Sequence, residues 1–151
     1  MTMTNNRKNI TVLYVEDDAS TADEMAAILK GETLELYICS NAAEGLDLYN
    51  KFSPELVITD IQMPKIDGLD MVSRILQINP RQAVIITSAF TQARYLLKAI
   101  KLKINNYITK PIDLNELFTS IENVATAIED KRRLQENEKL LEQYKMAIDN
   151  C

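Results

Sequence analysis

Residues 10–18 read ITVLYVEDD and residues 56–68 read LVITDIQMPKIDG. Each opens on a short apolar run rich in Val and Ile that stops abruptly at an acidic side chain. Runs of four to six such residues have the length and composition of β-strands. ITVLYV is almost continuously apolar, as a parallel strand covered on both faces must be. The same holds for AVIIT at 83–87, which runs into Ser88. LELYIC at 34–39 and NNYIT at 105–109 complete a set of five. LELYIC alternates polar and apolar residues, which marks an edge strand.

Helical periods fill the gaps. Met25, Ile28 and Leu29 mark a first helix, and Leu46 and Tyr49 a second. Leu69, Val72, Ile75 and Leu76 mark a third, stopped by Asn79-Pro80, and Leu96, Leu97 and Ile100 a fourth. A fifth starts after Pro111, where Asp113 can cap it and Glu116 stands in the capping-box position. This alternation predicts an α/β fold with a parallel sheet, and right-handed crossovers put helices on both faces.

From Asp113 to the end neither Pro nor Gly occurs, so one long helix is expected. Leu117, Ile121, Val124 and Ile128 give its first half a stripe to pack on the sheet. Leu134, Leu141 and Ile148 then recur every seven residues, with Asn137 and Tyr144 between them, after a step of six from Ile128. That pattern fits either a coiled-coil seam outside the domain or a solvated helix that frays. The expected division is a domain over 8–128 and a helical extension over 129–151.

With 151 residues, 46% hydrophobic and 26% charged, the chain has the composition of one soluble globular domain. A net charge of −5 argues against a non-specific nucleic-acid partner, which needs a basic face. Histidine is absent, which excludes a histidine base, ligand or phosphocarrier on this chain. Three glycines (Gly31, Gly45, Gly68) leave no glycine-rich phosphate loop. Cys39 and Cys151 have no metal or redox spacing and suit a reducing cytosol. No apolar run reaches the roughly 18 residues a membrane span needs. The N-terminal MTMTNNRKN lacks the apolar centre of a signal peptide. A cytoplasmic location with no membrane partner is expected.

In an open α/β sheet, ligands bind beyond the carboxyl ends of the strands. Here those ends carry Glu16-Asp17-Asp18, Asp60, Ser88-Ala89 and Lys110-Pro111. Two like charges about 4 Å apart repel by about 4 kcal/mol at an effective dielectric of about 20. Such a cluster calls for a cation. Oxygen ligands without His or Cys favour Mg²⁺, and one lysine can neutralise a further charge. Taken singly, the acidic triplet could be a helix N-terminal cap and Asp60 a turn residue. Their combination at several strand ends favours a site.

These residues resemble the receiver domain of two-component response regulators. The resemblance rests on LYVEDD (13–18), TDIQMPKIDG (59–68), ITSA (86–89) and YITKP (107–111), and covers roughly 8–128. It implies a flavodoxin-like, doubly wound sheet of five parallel strands in order 2-1-3-4-5. It implies that Asp60 is the phosphoacceptor and that Glu16 and Asp17 hold Mg²⁺, Asp17 more directly, with Asp60 and the Gln62 carbonyl as further ligands. Lys110, preceding a cis Pro111, pairs with the carboxylate and then with the phosphate. Ser88 bonds the phosphate, small Ala89 leaves room for it, and Tyr107 is the aromatic that turns inward with Ser88. Met63, Pro64 and Gly68 shape the loop after Asp60, Asp67 and Gly68 start the third helix, and Asp18 is peripheral. Gln62 and Phe90 flank the phosphate, and bulky Phe90 implies slow hydrolysis. The segment 103–106 lacks the Gly-Ala pair often seen in the family.

The implied partner is a histidine kinase or phosphotransfer protein, and the implied role a signalling switch rather than a metabolic enzyme. The C-terminal helix would carry the change onward, support a homodimer, link to a missing output domain, or run into a sensor module of the PAS type. Two other classes stand beside this reading. A haloacid dehalogenase-like phosphatase needs a second Asp two residues after the nucleophile, where Gln62 stands. A phosphorylation-independent interaction module has no need of Glu16, Asp17, Asp60, Ser88 and Lys110 together.

Overall fold

The computed structural model describes residues 8–89, 93–104 and 106–150. Five strands alternate with five helices: β1 (Thr11–Val15), α1 (Ala19–Lys30), β2 (Glu35–Cys39), α2 (Ala42–Phe52), β3 (Leu56–Asp60), α3 (Gly68–Ile78), β4 (Ala83–Ser88), α4 (Ala93–Lys101), β5 (Asn106–Thr109) and α5 (Leu114–Asp149). All strand pairs are parallel, and the order across the sheet is β2-β1-β3-β4-β5. The alternating strand β2 is an edge, as its sequence predicts.

The period of two along each strand divides the core. Leu13, Val15, Val57, Val84 and Ile86 point to one face, where α2 and α3 cover them with Tyr49, Leu69, Val72 and Ile75, and α4 contributes Ala99. Val12, Tyr14, Leu56, Ile58, Ile85 and Ile108 point to the other. There α1 supplies Met25 and Leu29, and α5 supplies Leu117, Ile121, Val124 and Ala125. Each fully buried aliphatic side chain is worth about 1.5–3 kcal/mol, so both faces hold the sheet. One expectation reads differently in three dimensions. The stripe that marks α4 is turned outward: Leu96, Leu97 and Ile100 are exposed, and among the described residues of α4 only Ala99 is buried.

Asp18, Asn41, Asp67 and Asp113 cap α1, α2, α3 and α5, each accepting a backbone N–H of the first turn. Asp18 therefore has a structural task. The fifth helix is continuous over 36 residues. Its first turns pack on the sheet, while beyond residue 129 nearly every side chain is exposed. Among the described residues no helix is long and apolar enough to cross a membrane.

Candidate functional site

Register brings the strand ends level. Val15 pairs with Thr59 and Asp60 with Thr87, so Glu16, Asp60 and Thr87 form a row across β1, β3 and β4. Ser88 pairs with Thr109, which puts Lys110 at the same edge. The Lys110 N–H donates to the Ser88 carbonyl at 2.8 Å, and the Lys110–Pro111 peptide bond is cis.

The side chains converge there. The Lys110 ammonium lies 2.7 Å from Glu16 Oε1 and 3.1 Å from Asp60 Oδ2. Carboxylate oxygens of Glu16, Asp17 and Asp60 all fall within 4.8 Å of one another. Glu16 is buried and Asp60 nearly so, while Asp17 is open to solvent. Lys110 thus bridges two carboxylates and is held more closely by Glu16 than by Asp60.

Burial pushes the Glu16 carboxyl up to about 7, against the pull of its hydrogen bond from Lys110, and the Asp60 charge adds to the rise. Burial works against the Lys110 ammonium, but the hydrogen bonds and charges of Glu16 and Asp60 outweigh it and move it upward. Three carboxyl groups face one ammonium. The cluster therefore sheds charge by holding a proton, and a divalent cation could take that proton's place. Glu16 Oε2 is buried without a hydrogen-bond partner, as a ligand atom left for a cation would be. The residues present fit an oxygen-liganded Mg²⁺.

The loop after Asp60 is held close. The Gly68 N–H donates to the Ile61 carbonyl at 2.7 Å. A Cβ on Gly68 would stand 1.9 Å from the Asp60 carbonyl oxygen, so only glycine allows this approach. Lys65, in the same loop, has a left-handed φ of 70°. Thr59 Oγ1 donates to the Asp60 carbonyl at 2.9 Å, which fixes that peptide from the other side. Gln62 is exposed and Met63 buried.

Ser88 is fully buried at the end of β4, Ala89 beside it is exposed, and Tyr107 on β5 is half-buried against the α2/α3 face. Phe90 lies outside the described residues, as does Asn105. Two groups that the sequence reading passed over adjoin the site. The hydroxyls of Tyr14 and Thr87 are buried without partners. Burial raises the Tyr14 phenol, and the charges of Glu16, Asp60 and Asp18 raise it further, so it stays neutral. The period of two could have flagged Tyr14, two residues before Glu16 on one side of β1.

The profile of the response regulator receiver domain family matches residues 12–122. This chain belongs to that family. Among relatives of this receiver domain, the chemotaxis protein CheY of Treponema pallidum is 33% identical over 116 residues, covering 75% of this chain and 81% of that one. The uncharacterized transcriptional regulatory protein YesN of Bacillus subtilis is 29% identical over 116 residues, covering 75% of this chain but 32% of its own length. Of solved structures, the N-terminal domain of an uncharacterized protein from Wolinella succinogenes is 32% identical, with a TM-score of 0.77, covering 81% of this chain and 98% of that one. A CheY-like receiver domain from Methanospirillum hungatei shares the fold at 23% identity and a TM-score of 0.76, covering 82% of this chain and 98% of that one. The receiver fold, with its strand order, is therefore the one the sequence implies.

Proposed function

We propose that this receiver domain accepts a phosphoryl group on Asp60 from the phosphohistidine of a histidine kinase or phosphotransfer protein. The observation that carries the reading is the Lys110 ammonium shared between Glu16 and Asp60, with a carboxylate oxygen of Asp17 within 4.8 Å of theirs. Receiver domains of two-component systems are phosphorylated by histidine kinases, and membership of that family supports the same reading here.

A carboxylate oxygen of Asp60 attacks phosphorus, the P–N bond of the donor breaks, and the imidazole leaves, taking its proton from solvent. Glu16, Asp17, Asp60 and the Gln62 carbonyl would hold Mg²⁺, which when bound draws charge from the phosphoryl oxygens. Lys110 transfers its bond from the carboxylate to a phosphate oxygen as a mobile point charge. Ser88 reorients towards the phosphate and Tyr107 follows it inward. The face of α4, β5 and α5, which exposes Leu96, Leu97 and Ile100, then changes shape. Gln62 and Phe90 govern water's access to the phosphate, and the bulk of Phe90 gives a long-lived species. The role is a cytoplasmic switch.

Incubation with acetyl phosphate and Mg²⁺ tests the reading by intact mass. The full chain gains one phosphoryl group, and Asp60→Asn gains none. An unlabelled wild-type chain, or an Asp60→Asn chain labelled as fast as wild type, overturns it.

A further inference from the structure

We propose that residues 133–148 of α5 form a parallel two-stranded coiled coil with a second copy of this chain. Leu134, Leu141, Tyr144 and Ile148 are 63%, 68%, 63% and 72% exposed, so a row of large apolar side chains runs along the arm without cover from its own domain. With Asn137 the row has spacings of three, four, three and four, the seam of a heptad with Leu134, Leu141 and Ile148 at a and Asn137 and Tyr144 at d.

This seam is not the sheet-facing stripe running on past the sheet. The step of six residues from Ile128 to Leu134 rotates it roughly 120° around the helix. The two faces therefore serve different neighbours. The arm also leaves the domain in a fixed direction. Arg132 donates to the Asn9 carbonyl at 3.0 Å and pairs with Glu55, which in turn accepts the Thr11 N–H.

The occupant follows from the pattern of charge. In a parallel pair, position g of one helix meets position e of the next heptad on its partner. Here those positions are Arg133 and Glu138, of opposite sign, and the two-fold axis makes the pair twice. Parallel, in-register pairing also sets Asn137 against its own copy, where two amides can bond each other. An antiparallel pair would set Asn137, at d, against an a residue, Leu141 or Ile148 according to register, and leave the amide unpaired. The chain is thus complementary to itself in one orientation, independently of any phosphorylation of Asp60.

Sedimentation velocity of the full chain over a concentration series tests this. A monomer–dimer equilibrium is expected, abolished by Leu141→Asp with the receiver domain still folded by circular dichroism. Arg133→Glu and Glu138→Arg should each weaken dimerisation about tenfold by placing like charges together. Mixing the two single variants should restore it, because a mixed parallel pair regains both attractions. A chain that stays monomeric at all concentrations overturns the proposal and leaves the seam to another protein's helix. A dimer indifferent to Leu141→Asp, or no restoration on mixing, overturns the seam or its parallel direction.

Discussion

Glu16 holds its proton more tightly in the folded chain than in the unfolded one, because burial withdraws its carboxyl from water. A carboxyl whose folded pKa is raised contributes stability that is fully present below its unfolded value of 4.5 and lost as pH rises to about 7. Metal-free wild type should therefore lose melting temperature relative to Glu16→Gln between about pH 5 and about pH 8. On the proposed function Mg²⁺ displaces that proton. Calorimetry in buffers of different ionisation enthalpy should then show proton release on Mg²⁺ binding near neutral pH, and binding without release would count against the assignment. Lys110→Met leaves two carboxyls without their ammonium. It should cost about 1–2 kcal/mol in denaturant unfolding, less than a fully buried pair because part of the lysine reaches water. Gly68→Ala should cost about 3 kcal/mol or more, since its methyl would overlap the backbone at Asp60. The acidic triplet, Asp60 and Lys110 were legible in the sequence because each ends an apolar run. That Lys110 divides itself between Glu16 and Asp60 was not, since no period links side chains 94 residues apart.

At the scale of elements, strands and helix starts follow from local chemistry. Short apolar runs of β-branched and aromatic residues set the strands, and Asp18, Asp67 and Asp113 set the starts of α1, α3 and α5 by taking first-turn N–H groups. What α4 does was hidden. Its apolar spacing predicts a helix, but spacing alone does not say which face meets the sheet, and here the large residues turn outward. The anchorage of α5 was equally invisible, since Arg132 meets Glu55 and Asn9 only once the sheet has formed. Arg132→Ala should therefore speed amide hydrogen exchange in the last turns packed on the domain. Global stability should fall by no more than about 1 kcal/mol, as befits a partly exposed ion pair. Unchanged exchange there would show that packing of Leu117, Ile121 and Val124 fixes the helix alone.

For the whole molecule, the doubly wound sheet explains why one edge gathers the chemistry. Parallel strands must all end on the same side, so every acidic or basic residue that terminates a run is delivered there. The two-faced core follows from five apolar runs and their crossovers, whereas the strand order was legible only through the family resemblance, because runs and crossovers alone permit several orders. The course of α5 beyond the sheet follows from a segment free of Pro and Gly. A ligand that completes the site should stabilise the fold as a whole. Beryllofluoride with Mg²⁺ should raise the melting temperature of wild type and leave Asp60→Asn unchanged. The most direct test of the central claim is to phosphorylate the full chain with acetyl phosphate and Mg²⁺, reduce it with borohydride and sequence the peptides by mass spectrometry. Conversion of residue 60 from Asp to homoserine is the predicted result. An unmodified residue 60 in a sample that carries the label elsewhere would contradict the account.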